Sequence, residues 1–423
     1  MPDSRSRSSS RGSHGHFLHL RYAFIMNPSI SKSLIRDSPP APLAGSGMEF
    51  WSLTPDMTFL NHGSFGARPL DVVAAHQSMK QQLDHDPFDV LVYRGQALLD
   101  QARSRVADLV GSDLVDLVSV INASEAVNSV LRSIRPRSDQ NLVATCHGYN
   151  AVNQTIRHVC DRSGAQMRTV QLEPPLPDEA GLVDAIMDQV DRDTCLVMID
   201  HVSSPTAMLF PVKSVIDKCH QLDVPVMVDG AHIPGMMPLD VTALGADYYT
   251  GNLHKWVSAP LGSAFLHVHP SHQSSIHPIV ISHDLGEGYQ TEFAWTGSRD
   301  PSAFFSVPAA IDWFESRFGW EAVQAHNRDL VSWATGRLCD EWAVEPLDVP
   351  DSSRVTSMRT IELPDRVKRH FDDIEDWRIW LREHHRIDAA VHDWAGRWWV
   401  RLSAHVYNRP EHYEHLIRNG LAF

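Results

Sequence analysis

The sequence predicts an α/β protein: a large domain built on a mostly parallel, seven-stranded sheet flanked by helices, then a small α+β domain. Two observations carry that expectation. Short runs rich in valine, leucine and isoleucine alternate with longer amphipathic stretches, the rhythm of strand–helix–strand units. At least two of those apolar runs also end on residues suited to chemistry, where open α/β sheets hold their ligands.

The strands are read in order at Leu117–Ile121, Leu142–Thr145, Met167–Leu172, Leu196–Asp200, Val224–Val228, Tyr248–Thr250 and Ser263–Val268. Each is a short apolar or β-branched run bounded by polar or turn residues. Helices fill the gaps, for example Ser124–Ile134, Ala151–Ser163 and Pro211–Gln221. Ser124, just after the first strand, has N-cap chemistry. Pro308–Phe318 begins a further helix. Beyond it the pattern turns to helices with a few strands, such as Val355–Glu362 and Trp398–Leu402. The domains are therefore placed at 48–306, with an N-terminal arm over 48–75, and at 307–423. No internal repeat is present.

Residues 1–47 read differently. The first 16 are rich in serine, arginine and glycine, and Pro39-Pro40-Ala-Pro42 and Gly45-Ser-Gly47 resemble linker. A disordered tail, or a start codon read too early, fits this composition; a transit peptide is the alternative. Phe17–Ile25 is broken by His19 and Arg21, which spoils it as a signal-peptide core.

Composition narrows the function. A formal net charge of −15 disfavours nucleic acid or an anionic membrane surface as partner. No run of 18 apolar residues exists to span a bilayer. Five scattered cysteines, without a CxxC, fit a reduced, cytoplasmic enzyme.

The chemistry concentrates in two segments. Val-Pro-Val-Met-Val-Asp229 is a buried-type strand ending in a carboxylate, and Lys255 follows 26 residues later, just after Asp247-Tyr-Tyr-Thr-Gly. An acid and an amine at neighbouring strand ends suit pyridoxal phosphate (PLP). The lysine forms the Schiff base and the carboxylate keeps the pyridine nitrogen protonated, so that the ring can accept electrons from Cα. At about 4 Å such an ion pair is worth roughly 4 kcal/mol at an effective dielectric near 20. Lys255 also serves as general base once substrate displaces it. Upstream, Asn122-Ala-Ser124 opens a helix whose free N–H groups would take a phosphate on Ala123 and Ser124. On its own that segment equally describes an ordinary capped helix.

Further motifs stand in order along the chain: Phe59-Leu-Asn61-His62-Gly63-Ser64-Phe65-Gly66, Asn122–Asn128, His147-Gly-Tyr149-Asn150, Asp229-Gly-Ala-His232, His254-Lys255-Trp256, Thr296-Gly297-Ser298-Arg299-Asp300 and Arg401–Asn408. With these the chain resembles a class V aminotransferase, a fold-type I PLP enzyme. Within that family it is most similar to the isopenicillin N epimerase-like branch, related to hercynylcysteine sulfoxide lyases and cysteine desulfurases. The resemblance implies roles. His232 would sit beside the ring's 3-oxygen. Ala123, Ser124, Asn252 and His254 would hold the phosphate, with Ser298 reaching over from the other subunit of a homodimer with shared active sites. Arg401 would grip the substrate carboxylate, and Asn61 and His62 would line its pocket. Tyr149 or His147 would stack on the cofactor; Tyr149 is the candidate acid for a leaving group, and Tyr149, His147 or His62 the second base that an epimerase would need. Arg94 resembles a dimer-interface residue.

Cysteine desulfurases of this class need a mobile cysteine upstream of the carboxylate-binding arginine, and none lies between Glu345 and Arg401. Persulfide chemistry by that route is not expected. The histidines at 267, 269, 272, 277 and 283 match no metal-ligand spacing and are read as loop residues near the active-site mouth, with no metal. Trp377, Trp380, Trp394, Trp398 and Trp399 are read as small-domain core. The expected activity starts with loss of a Cα proton from an amino acid. A C–S β-lyase, an epimerase, a transaminase and a PLP-binding scaffold without turnover all remain open.

Overall fold

The computed structural model describes residues 36–423. Most of the expected tail lies outside the described residues, but its last part is held down. Arg36 pairs with Asp329 at 2.6 Å, the Gly45 carbonyl accepts from Arg317, and the Ser46 hydroxyl accepts from Arg409. A tail running unanchored to residue 47 is therefore corrected.

After a two-residue strand, β1 (Thr58–Phe59), the chain lays down β2 (Leu117–Val120), β3 (Asn141–Thr145), β4 (Gln166–Val170), β5 (Thr194–Asp200), β6 (Val226–Asp229), β7 (Tyr248–Asn252) and β8 (Ala264–Val268). These seven form one sheet in the order β2-β8-β7-β6-β5-β3-β4, parallel except that β8 runs against both its neighbours. All seven expected strands occur, each end within two residues of its expected place. β6 starts after Pro225, which has no N–H for the ladder, although its carbonyl still accepts from Val197.

The sheet is buried on both faces. Val197 and Ile199 of β5 enter one apolar cluster with Val215, Ile216 and Val106. Their neighbours Leu196 and Met198 enter another with Val127, Val130 and Ile156. Alternate side chains thus feed two cores, which is why the strands read as continuous apolar runs. Helix Ala123–Ile134 begins one residue earlier than expected. Its N-cap is Asn122, not Ser124: the extended Asn122 backbone (φ −165°) lets Oδ1 accept the Glu125 N–H at 2.9 Å.

The smaller unit contains β9 (Met358–Glu362), β10 (Ile387–Asp388), β11 (Ala390–Trp394) and β12 (Arg397–Ser403), with an antiparallel sheet ordered β11-β12-β9. β10 pairs in parallel with β1, and Leu60 packs with Ile361, Trp377 and Tyr413, so the N-terminal arm joins the small core. Helix Val307–Arg317, expected to open the small domain, packs instead into a large-domain cluster through Val307, Ile311 and Phe314. Trp377 and Trp398 lie in the small core and Trp380 at its margin. Trp394 and Trp399 do not: Trp394 turns its ring to 4.7 Å from that of His147, and the Trp399 indole donates to the Trp394 carbonyl. Among the described residues no helix is long and apolar enough to cross a membrane.

Candidate active site

The parallel strands deliver their C-terminal ends to one edge, and the site is built there. β6 closes on Asp229, whose Oδ1 accepts the Ala231 N–H at 2.9 Å. In the turn after β7, Lys255 places Nζ 3.0 Å from His232 Nε2. On the far side of that ring, the Trp256 indole N–H donates to Nδ1 at 3.4 Å. This assigns the histidine proton to Nε2, which donates to the uncharged form of the Lys255 amine. Burial, and then the positive field of Arg401, bring Lys255 down to about 7 against the pull of Asp229 and Asp200. Burial and the Lys255 charge hold His232 well below its ordinary value, so its ring stays neutral.

Asn252 closes β7 and its Oδ1 accepts the Ala123 N–H at 2.9 Å, which ties the strand end to the N-terminus of helix Ala123–Ile134. His254 lies beside it, buried, with Nδ1 3.3 Å from the Ser263 carbonyl, and burial lowers it to about 4. Asn252 thus joins Ala123 and Ser124 at one helix N-terminus, which favours an anion, and His254 follows two residues on. The donor set fits PLP: Lys255 to condense with its aldehyde, the second oxygen of Asp229 for its ring nitrogen, the helix end for its phosphate.

Arg401 comes from the small domain on β12 and is 1% exposed. Nη1 donates to the Ser204 carbonyl (2.6 Å) and hydroxyl (3.1 Å), and Nη2 to the Ser64 hydroxyl (3.0 Å). Its Nε has no partner, and burial pushes the guanidinium down to about 10. Ser64 in turn donates to Asn61 Oδ1 at 2.6 Å, so Asn61 reaches the arginine through Ser64. The glycines of this segment allow close approach. A Cβ on Gly66 would stand 2.2 Å from the Lys255 carbonyl oxygen, and one on Gly63 would stand 2.6 Å from Met358 Sδ.

Two expectations are corrected. His62 does not line a pocket: it is fully buried, Nδ1 facing the Tyr407 hydroxyl (3.1 Å) and Nε2 donating to the Lys255 carbonyl (3.0 Å). Buried as deeply, His147 has Nδ1 on the Thr206 hydroxyl (2.8 Å) and Nε2 on the Leu172 carbonyl (2.7 Å). Burial lowers His62 to about 3 and His147 to about 4. Both rings brace loops and have no nitrogen left for a substrate. Tyr149, by contrast, is 47% exposed at the head of helix Asn150–Ser163, within electrostatic reach of Arg401.

The histidine cluster is not at the active-site mouth either. His272 and His220 bind Asp247 at 2.9 Å each, at the N-terminal end of β7, the opposite edge of the sheet. His267 meets Ser112, and His277 meets Glu292. The cause is the reversed direction of β8, which carries His267 and the loop after it away from the strand ends. Among the described residues no group of histidine, cysteine and carboxylate could hold a metal. Ser298 is exposed in the loop before residue 300, and Arg94 donates to Asp89 (2.6 Å) and Gln82 (3.2 Å).

Three residues of the site were not anticipated. Ser64 lay unassigned within a quoted motif, and Ser204 carries no signal in its sequence neighbourhood. Asp200 closes a β-branched run much as Asp229 does, and that signal was available. It pairs in register with Asp229.

Comparison with known proteins identifies the family and the fold. The profile described as Aminotransferase class-V matches residues 71–412, which include Lys255, Asp229 and Arg401. The chain is 30% identical over 382 residues to an isopenicillin N epimerase of Streptomyces clavuligerus, covering 86% of this chain and 94% of that protein. It is 31% identical over 398 residues to a putative L-cysteine desulfhydrase of Oryza sativa subsp. japonica, covering 84% and 81%. Among solved structures, a C-DES mutant with glycine covalently linked to its PLP cofactor superposes with a TM-score of 0.74 at 19% identity, over 87% of this chain and 97% of that one. The chain belongs to the class V aminotransferase family and has the fold-type I architecture of PLP-dependent enzymes.

Proposed function

We propose that this chain is a C–S β-lyase, which removes the Cα proton of an S-substituted L-cysteine and expels the sulfur group from Cβ. The observation that carries the reading is an amine base set in one site with an exposed phenol. Lys255 is a buried amine near neutrality. His62 and His147, candidates for a second base, have both ring nitrogens engaged. One base and one exposed acid, Tyr149, suit elimination. When bound, PLP supplies the electron sink that makes the Cα proton labile. Arg401 pairs with the substrate carboxylate, its position fixed by Ser204 and Ser64. Lys255 takes the proton, and the Tyr149 phenol protonates the departing sulfur. Aminoacrylate is left, which water converts to pyruvate and ammonia.

The names of the relatives support the same class of chemistry: four L-cysteine desulfhydrases, two of them putative and one probable, and a hercynylcysteine sulfoxide lyase stand among them. Epimerisation is the second reading, favoured by the Streptomyces epimerase and requiring Tyr149 to reprotonate Cα from the opposite face. Persulfide chemistry is not part of the proposal. Cys339 sits inside helix Trp320–Trp342, where burial pushes its thiol up to about 12. We also infer a cytoplasmic homodimer in which Ser298 completes the phosphate pocket of the partner subunit.

The test is pyruvate release from a panel of S-substituted L-cysteines and their sulfoxides by PLP-loaded protein, without an amino acceptor. Release that vanishes in Lys255→Ala is expected. Exchange of the Cα proton for deuterium without pyruvate would point to epimerisation, and dependence on an added keto acid to transamination. Full activity in Lys255→Ala would sink the enzyme reading altogether.

A further inference from the structure

Asp200 is a buried carboxyl for which the proposed reaction has no use. It ends β5 as Asp229 ends β6, the two strands are parallel, and the two residues are partners in register. Neighbouring strands stand about 4.8 Å apart, and register partners point to the same face. Two carboxyls therefore leave the sheet edge side by side, at 5% and 3% exposure.

The groups facing them are few. Asp229 takes the Ala231 N–H, and Asp200 takes the backbone N–H of Tyr149. Lys255 acts on both from across the site, but its amine is close to neutral. His201, next to Asp200 in sequence, turns its Nδ1 to the Tyr249 hydroxyl at 3.0 Å and stays uncharged in its buried setting. No guanidinium reaches either carboxyl among the hydrogen bonds of the described residues. Burial first, and then the neighbouring Asp229 charge, raise Asp200 well above the ordinary carboxyl range. Two like charges at this depth, with one or two N–H donors each, are costly to hold together, and a single retained proton relieves them.

We propose that Asp200 and Asp229 act as one carboxyl pair that keeps a proton in the empty site and gives it up when the cofactor docks. The step balances. Where the ring arrives unprotonated, an O–H bond of the pair breaks and an N–H bond forms on the ring; where it arrives as the pyridinium, the pair's proton passes to solvent. The pair then faces the pyridinium with two negative charges. Asp200 is thus a positioning residue for charge, acting through Asp229 and never touching substrate. The inference rests on the placement of the ring nitrogen at Asp229.

The experiment uses pyridoxine 5′-phosphate, which has the ring nitrogen and phosphate but no aldehyde to condense with Lys255. Its binding to cofactor-free wild type, Asp200→Asn, Asp200→Ser and Asp229→Asn is followed by calorimetry. Measurements run between about pH 7.5 and 9, in two buffers of different ionisation heat. Binding to Asp200→Asn should draw about one more proton from solvent than binding to wild type. Its Kd should also weaken with rising pH about tenfold more per unit. Asp200→Ser, which cannot hold a proton in the pair, should behave alike and covers a folding defect in the amide variant. Proton uptake and pH slope equal to wild type in either folded variant would overturn the pair. Asp229→Asn should lose affinity at every pH. If it binds as wild type does, the ring nitrogen is not at Asp229, and the site assignment falls along with the pair.

Discussion

At the scale of single residues, the charge state of Lys255 decides when the site can work. A free lysine titrates near 10.4, whereas burial and the Arg401 field bring this one to about 7. The uncharged amine is the reactive form, so its population grows as pH rises through about 7 rather than through about 10. The second-order rate of PLP capture by cofactor-free protein should therefore rise about tenfold between pH 6 and 8 and level off above that, as stopped-flow absorbance would read. A rate still climbing at pH 9 would contradict the assignment. Arg401→Lys tests the other end of the site. The guanidinium reaches Ser204 and Ser64 in two directions at once, which a single ammonium cannot copy. Losing one charge-assisted contact costs about 2 kcal/mol, so KM for the amino acid should rise roughly thirtyfold. PLP absorbance in that variant should stay as in wild type.

At the scale of elements, the sheet has a working edge and a bracing edge. Asp247 holds the bracing edge: it accepts from His272, His220 and the Val226 N–H, joining β6 and β7 to two surrounding helical segments. Burial opposes its ionisation, but those three donors prevail and hold it below its ordinary value. The stability it contributes is present above the unfolded value near 3.9 and is lost as pH falls through the lowered folded value. Asp247→Asn should cost about 1–3 kcal/mol at pH 7 in urea melts, and the gap should close towards pH 3. A gap independent of pH would mean that packing, not charge, is at stake. Much of this level was legible in sequence, because strands buried on both faces leave unbroken apolar runs. β1 and β10 were not: each is two residues long, and Thr58 meets Ile387 across most of the chain. The site divides in the same way. Asp229 and Lys255 declared themselves by residue type at strand ends. His62 and His147 have equally suggestive types, yet their roles depend on where each ring nitrogen points, which only the folded packing decides.

At the scale of the molecule, the short helical segment Asp89–Tyr93 leaves Phe88, Val92 and Tyr93 at 67%, 60% and 79% exposure. Three large apolar side chains together on a surface suit contact with a second copy. Tyr93→Glu should convert a particle of twice the chain mass to one of single mass in sedimentation velocity, and should weaken PLP retention if Ser298 serves the partner's phosphate. A wild-type chain that sediments as a monomer with PLP firmly bound would remove the shared site from the proposal. The pairing of β1 with β10 has a consequence in time rather than in space. Thr58 and Phe59 leave the ribosome long before Ile387 and Asp388 exist, whereas every strand of the large sheet is complete by Val268. The large sheet can close while synthesis continues, but the first strand made must wait almost to the end of translation for its partner. An amino-terminal segment caught elsewhere in that interval would leave Ser64 away from Arg401, so the carboxylate site depends on a pairing that forms only late in synthesis.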